Sequence, residues 1–439
     1  MQIGIIGAGH VGLVSAACFA RIGHDVVAVD AVAEKIDGLK RGQMPFFEPD
    51  LEDLVQEGVE SGRLRFSHDM RDALTEADAV FICVGTPGMP SGEADLSQVE
   101  GVAHDLARLL NGRPVVLVEK STVPATTGRR LSAMLKMLGI KGIDVVSNPE
   151  FLREGSAVQD TLEPDRIVIG SESERATELL LDIYRPIIES SGCGVVVTDV
   201  QTAELIKHAS NAFLATKISF INAVADICEA TGADVQTVAT GVGLDHRISV
   251  DFLQAGIGYG GSCFPKDIAA FIALGQSLGV DVDLLRDVQK INQARPGRLV
   301  AKLREQLWHL KGKRIAILGL AFKPGTDDLR EAPALVVVEQ LLAEGASVVA
   351  YDPVAMPAAK EVLHGSVEFA DSALDAIDGA HAAVFVTEWP EFAELPPREI
   401  ASRLRFPIVV DGRNLFDLAA MRDAGLNYTS VGRVPVRTE

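Results

Sequence analysis

The stretch Gly256-Ile257-Gly258-Tyr259-Gly260-Gly261-Ser262-Cys263-Phe264-Pro265-Lys266-Asp267 gathers the residue types best able to do chemistry. Its four glycines within six residues remove Cβ atoms and allow positive φ, so backbone can come close to something bulky. Pro265 suits the first turn of a helix running on through Phe271, which places Cys263 at a helix N-terminus beside Lys266. Unpaired amides and a nearby cation both favour thiolate over thiol. Asp267, four residues on, is close enough along a first turn to move a proton near the sulfur. The competing reading is a glycine hinge around a buried, inert cysteine.

A nucleophile needs a reaction to serve, and the first thirty residues supply a redox partner. Residues 1–6 read as a buried strand, and Gly7-Ala8-Gly9-His10-Val11-Gly12 opens a helix through Ala20. Gly23 ends that helix, and residues 25–29 form a second strand closing on Asp30. This is the βαβ dinucleotide fingerprint in its required setting, with Gly7, Gly9 and Gly12 allowing the turn, the pyrophosphate approach and the helix–strand packing. Asp30 can accept hydrogen bonds from the adenosine ribose, and its charge repels a 2′-phosphate, so NAD is expected over NADP.

Further apolar strands at 79–84, 114–118 and 144–146 end in polar residues. Carboxyl ends of parallel strands line the ligand crevice of such sheets, which makes Thr86, Thr122, Glu150 and Glu154 candidates. Helix capping is the alternative for the threonines and glutamates. From 199 to 231 the pattern becomes one long helix, ended by Gly232, with Lys207 and Asn211 one turn apart on a shared face. It reads as a spine and a subunit contact. A second βαβ begins at residue 314 and its second strand ends in Asp352, but the glycine triplet is missing. In its place Ala321-Phe322-Lys323-Pro324 through Arg330-Glu331 brings Lys323 and Arg330 to the strand end, suiting a phosphate-bearing ligand. Arg413, after the strand at 408–410, is a second candidate for an anion.

The bulk properties narrow the class. A chain of 439 residues is too long for one core. The expected architecture is α/β: two Rossmann-like doubly wound domains joined by a long central helix. The N-terminal domain is placed at 1–198, the helical region with the cysteine loop at 199–310, and the second Rossmann-like domain at 311–439. A net charge of −20 argues against a nucleic-acid partner, though not against an anionic small molecule in a local cationic pocket. Five cysteines, never spaced as CxxC, suggest a reducing compartment without structural disulfides or a metal site. No apolar run reaches the ~20 residues needed to span a bilayer. With a strand starting at once, a cytoplasmic protein with no membrane partner is expected.

The motifs together resemble the nucleotide-sugar dehydrogenases, the UDP-glucose/GDP-mannose dehydrogenase family, over essentially the whole chain. The resemblance rests on Gly7-Ala8-Gly9-His10-Val11-Gly12-Leu13, Asn148-Pro149-Glu150-Phe151-Leu152-Arg153-Glu154, Gly260 to Asp267, and Phe322-Lys323 through Arg330-Glu331. It implies oxidation of the C6 alcohol of UDP-glucose to a carboxylate in two hydride transfers to NAD, with GDP-mannose as the alternative sugar nucleotide. On the matching positions it implies Cys263 as nucleophile, Lys207 and Asn211 as oxyanion stabilisers, Asp267 with Thr122 in proton transfer through water, and Glu150 as base for thioester hydrolysis. Cofactor contacts are implied at Val11, Lys35, Thr86, Thr122, Glu154, Lys266 and Arg330. Substrate contacts are implied at Glu150, Phe151, Leu152, Arg153, Lys207, Asn211, Phe252, Leu253, Gln254, Ala255, Gly256, Gly260, Lys323 and Arg413. Arg247 is implied to be lent across a homodimer interface.

Overall fold

In the computed structural model, residues 1–110, 113–140 and 142–438 are described, and the side chain of residue 107 is not. The chain divides into two compact units, 1–210 with 269–280, and 211–268 with 281–439.

The first unit is built on eight strands: β1 (Gln2–Ile6), β2 (Asp25–Val29), β3 (Leu64–Ser67), β4 (Ala79–Ile82), β5 (Val115–Glu119), β6 (Ile143–Ser147), β7 (Arg166–Ser171) and β8 (Gly194–Thr198). Their order is β3-β2-β1-β4-β5-β6-β7-β8, so the direction of winding reverses between β1 and β4. Such a switch point opens a crevice at the carboxyl ends of the strands. β4 and the interiors of β1 and β5 are apolar because helices cover both faces, as parallel sheets require. One core packs the helix His10–Arg21 and the helix Glu174–Ser191 against the sheet through Leu13, Phe19, Phe81, Leu180 and Ile183. A second core lies on the other face around Ile82, Leu106, Leu117 and Leu131. The sheet is not wholly parallel, because β6 and β7 run antiparallel, with Ser147 opposite Gly170. Their connection is the loop that carries Glu150 and Glu154 and the short helix Ala157–Leu162.

The second unit carries β9 (Arg314–Leu318), β10 (Ser347–Tyr351), β11 (Glu368–Phe369), β12 (Ala382–Phe385), β13 (Ile408–Asp411) and β14 (Asn427–Thr429). Their order, β11-β10-β9-β12-β13-β14, is the same winding on a smaller scale, and every pairing is parallel. Its core runs from Ile315 and Val349 through Phe385 to Tyr428. The helix Val200–Thr231, 32 residues long, begins in the first unit and ends in the second. At 1.5 Å per residue it extends about 48 Å. Within the second unit the C-terminal segment is tied to its far end, with the amide of Val235 donating to the carbonyl of Gly432 and the amide of Gly432 to Glu229. Among the described residues no helix is long and apolar enough to cross a membrane.

Candidate active site

The cofactor end of the first unit is shaped by its glycines. Gly7 sits at φ +99°, and a Cβ there would lie 2.6 Å from the carbonyl oxygen of Cys83. A Cβ at Gly12 would lie 1.8 Å from the carbonyl of Gly7, so turn and helix can pack only without side chains. Gly9 differs, because a Cβ there would meet no protein atom within 4 Å. Packing does not explain a glycine at that place; close approach of a pyrophosphate to the helix N-terminus does. The residues present therefore fit a dinucleotide. Asp30, at the end of β2, accepts the Ala8 amide at 2.8 Å and the Val32 amide at 2.9 Å. Lys35 donates to it as well, at 2.8 Å. Burial alone would raise the Asp30 carboxyl, but Lys35 and the two amides more than offset this and hold it below the ordinary range. Lys35 thus lies in the cofactor region as a partner of Asp30. Val11 is half-buried in the first turn of the helix. Thr86 is not a helix cap: its hydroxyl donates to the Thr122 carbonyl at 2.8 Å, joining the loops after β4 and β5.

The loop after β6 brings the acid candidates to the same carboxyl edge of the sheet. Asn148 is held by Lys120 and Tyr184, which donate to its Oδ1 at 3.2 and 2.6 Å. Glu150 accepts the Leu152 amide at 2.8 Å and forms a buried ion pair with Lys207 at 3.0 Å. Their side chains are 7% and 5% exposed, a separation from water in which a lone charge would be costly. The ring of Phe151 lies under the Arg166 guanidinium at 3.7 Å, with the Lys207 ammonium 5.4 Å from its centroid. Arg153 points away to an exposed bidentate pair with Asp160 at 2.9 and 2.7 Å. Glu154 is buried.

In the second unit Cys263 is exposed, whereas Cys18, Cys83 and Cys228 are buried and Cys193 is partly covered. Its carbonyl accepts the Asp267 amide at 2.8 Å, which makes it the residue at the head of the helix Phe264–Ser277. The buried reading of this cysteine is thereby excluded. By contrast, burial pushes the Cys18 and Cys83 thiols up to about 12. Ser262 places its hydroxyl 3.6 Å from the sulfur. Asp267 is buried and held from both sides: Lys266 donates to Oδ1 at 2.8 Å and Asn211 to Oδ2 at 2.6 Å. A buried carboxylate clamped in this way keeps one orientation beside the helix that presents the sulfur. Lys266, expected at the cofactor, is engaged with Asp267.

The glycine loop does approach something bulky. A Cβ at Gly261, where φ is +82°, would lie 2.7 Å from the Phe322 ring, and one at Gly260 would lie 2.2 Å from the Glu331 carbonyl. The Gly261 amide donates to the Arg330 carbonyl at 2.9 Å. The cysteine loop is therefore docked on the very segment that carries Lys323 and Arg330. Lys323 lies 5.6 Å from the Phe322 ring centroid, and Arg330 is paired with Asp328 at 2.7 Å. In the second βαβ, the Asp352 carboxylate accepts the amides of Leu320, Ala321, Val354 and Ala355 and the Trp389 indole.

Several sequence candidates occupy unexpected roles. Arg413, expected to meet an anion, donates to the carbonyls of Val386 at 2.8 Å, Gly258 at 3.2 Å and Phe322 at 3.4 Å, with Glu388 beside it at 2.9 Å. Its guanidinium braces the glycine loop against the segment bearing Lys323. In the segment Phe252, Leu253, Gln254, Ala255 and Gly256, the Gly256 amide donates to Asn222 at 2.9 Å and the Ala255 carbonyl accepts from Asn414 at 3.4 Å. Phe252, at φ +63°, faces Phe264 with ring centroids 6.1 Å apart. Arg247 is exposed and forks onto its neighbour Asp245. Asn222, which holds the Gly256 amide, and Asn292, which accepts the Tyr259 amide at 2.8 Å, belong to no short motif, so sequence reasoning had no signal for them.

Three family models match the chain in order. Residues 1–188 match the NAD binding domain of the UDP-glucose/GDP-mannose dehydrogenase family, 201–294 its central domain and 316–418 its UDP binding domain. The chain is 46% identical over 438 residues to the UDP-glucose 6-dehydrogenase TuaD of Bacillus subtilis (strain 168), covering 99% of this chain and 94% of that one. It is 46% identical to the UDP-glucose 6-dehydrogenase of Rhizobium meliloti (strain 1021), over 99% of this chain and 100% of that one. Among solved structures, a UDP-glucose dehydrogenase from Pyrobaculum islandicum superposes with a TM-score of 0.91 at 40% identity, covering 98% of each chain. With its three regions matched in order along its length, the chain belongs to the UDP-glucose/GDP-mannose dehydrogenase family.

Proposed function

We propose that the chain is an NAD-dependent UDP-glucose 6-dehydrogenase that carries the sugar C6 from alcohol to carboxylate. The observation that carries this reading is Cys263, an exposed thiol heading a helix whose next turn holds a buried, doubly bonded Asp267. Relatives at 46% identity over nearly the full chain are UDP-glucose 6-dehydrogenases, which favours that sugar nucleotide over GDP-mannose.

NAD, when bound, supplies a hydride acceptor, once for each oxidation. Gly7, Gly9, Gly12 and Asp30 hold the dinucleotide, aided by Val11, Lys35, Thr86, Glu154, Lys266 and Arg330. Asp267, with Thr122, takes the C6 hydroxyl proton through water as the alcohol becomes an aldehyde. The Cys263 thiolate adds to the aldehyde carbon, and Lys207 and Asn211 stabilise the oxyanion of the thiohemiacetal. Loss of the second hydride leaves a thioester on Cys263. Glu150 draws a proton from water, whose oxygen attacks the thioester carbon, and the C–S bond breaks to return the thiolate and release the carboxylate. One alcohol and one water thus give one carboxylate, two NADH and three protons. Lys323, Arg413, Gly260 and the segments 150–153 and 252–256 bind the sugar nucleotide. The assay is NADH release against a panel of UDP- and GDP-sugars. Two NADH per UDP-glucuronate are expected; one NADH, or preference for a GDP-sugar, refutes the assignment.

The functional unit we propose is a homodimer with Arg247 lent to the partner's site. Phe213, Phe220 and Ile227 lie seven residues apart on the long helix and are 67%, 54% and 62% exposed, an apolar stripe suited to a second copy of the same helix. Sedimentation should give a dimer for the wild type and a monomer for Phe220→Glu; a monomeric wild type ends the proposal.

A further inference from the structure

Glu48 lies in the loop 43–49, between the helices Ala33–Lys40 and Leu51–Glu60, and its side chain is wholly withdrawn from solvent. Oε1 accepts the Ala157 amide at 2.7 Å and Oε2 accepts the Gly155 amide at 2.7 Å. Oε2 also lies 2.9 Å from Nε2 of His10. That approach is a close polar contact not aligned as a hydrogen bond, and the imidazole is set by stacking on Phe46 with ring centroids 4.6 Å apart.

The two ends of this bridge are the two functional edges of the first unit. His10 is the first residue of the helix His10–Arg21, directly after Gly9, where packing leaves room for a phosphate. Gly155, at φ +83°, follows Glu154, five residues beyond Glu150. An apolar side chain here would leave the Gly155 and Ala157 amides without their acceptor. What a carboxylate adds is direction: two amides and one imidazole are held at fixed positions at once.

We propose that Glu48 is a positioning residue that registers the dinucleotide turn, through His10, with the acid-bearing loop at Gly155–Ala157. This rests on the dehydrogenase reading for its catalytic half, while its cofactor half stands on NAD binding alone. Loss of the Glu48 charge loosens both edges together, so cofactor affinity and turnover fall as a pair.

The test uses the full-length protein with Glu48→Gln, His10→Phe and the double variant, each checked for folding by circular dichroism. Phenylalanine at 10 keeps the stacking on Phe46 and removes only the contact with Glu48. NAD dissociation constants are measured by calorimetry without sugar, and kcat with UDP-glucose. Glu48→Gln is expected to raise the NAD Kd at least about fivefold and lower kcat at least about tenfold, the scale of losses seen for residues that orient ligating groups. His10→Phe should raise the NAD Kd at least about threefold, and the double variant should bind NAD no worse than Glu48→Gln, because one bridge is cut twice. Should Glu48→Gln fail to fold, His10→Phe decides by itself: a Kd within twofold of wild type overturns the proposal. So do a Glu48→Gln protein with wild-type Kd and kcat, and single losses that multiply in the double variant. A wild type that binds NAD but does not oxidise UDP-glucose sinks the substrate reading and leaves the binding comparison intact.

Discussion

Asn211 and Asp267, 56 positions apart, share a 2.6 Å hydrogen bond between the long helix and the first turn after Cys263. Lys266 holds the other carboxylate oxygen, so the residue best placed to move protons near the sulfur has no freedom to turn away. Asp267→Asn keeps the volume and removes the base. Turnover should fall by roughly 100-fold or more, the usual worth of a positioned general base, with NAD affinity within twofold of wild type. Stopped-flow NADH formation and calorimetry check this; an active Asp267→Asn enzyme removes Asp267 from the chemistry.

Cys263 is exposed at the head of its helix, so replacing it leaves no cavity. Cys263→Ala should fold and bind NAD as the wild type does, yet lose carboxylate formation by at least roughly 1,000-fold, as removal of a nucleophile does elsewhere. Cys263→Ser, whose ester hydrolyses slowly, should accumulate a covalent sugar-nucleotide adduct visible in the intact mass. Near-normal carboxylate from Cys263→Ala would end the covalent route.

Asp30 does two jobs, since it also accepts the Ala8 and Val32 amides and Lys35. Asp30→Ala should therefore weaken NAD about 10- to 100-fold, a charged hydrogen bond being worth about 1.5–3 kcal/mol, and narrow the gap between NAD and NADP. It should also lower the melting temperature of the cofactor-free protein, which a residue touching only ribose would not do. Wild-type preference for NADP contradicts the assignment.

Glu119 at the end of β5 is buried, and burial pushes its carboxyl from 4.5 to about 8. The folded state therefore holds this proton more tightly than the unfolded chain. Its contribution is complete below about 4.5 and is lost as pH rises through about 8. Thermal stability should drop between pH 5 and 8.5, and Glu119→Gln should flatten that drop. Equal slopes for both proteins would show that Glu119 does not titrate in this window.

Much of the fold was legible in residue order, because the signals are local. The strands at 2–6 and 25–29, the glycine turn between them and the helix ended by Gly232 each follow from periodicity and backbone freedom over a few residues. Pro265 likewise marks the helix that Cys263 heads. Only the tertiary structure decided what those elements meet. β3 is a run of four residues whose strand character depends on neighbours, and the antiparallel step from β6 to β7 leaves no local trace. Arg413 reads as a free cation until three carbonyls converge on it, and Lys35 until Asp30 is beside it. Glu48 reaches Ala157 across 109 positions. A charged side chain carries no mark of its partner, since partnership is set by distance through space, and that distance exists only once the chain has folded.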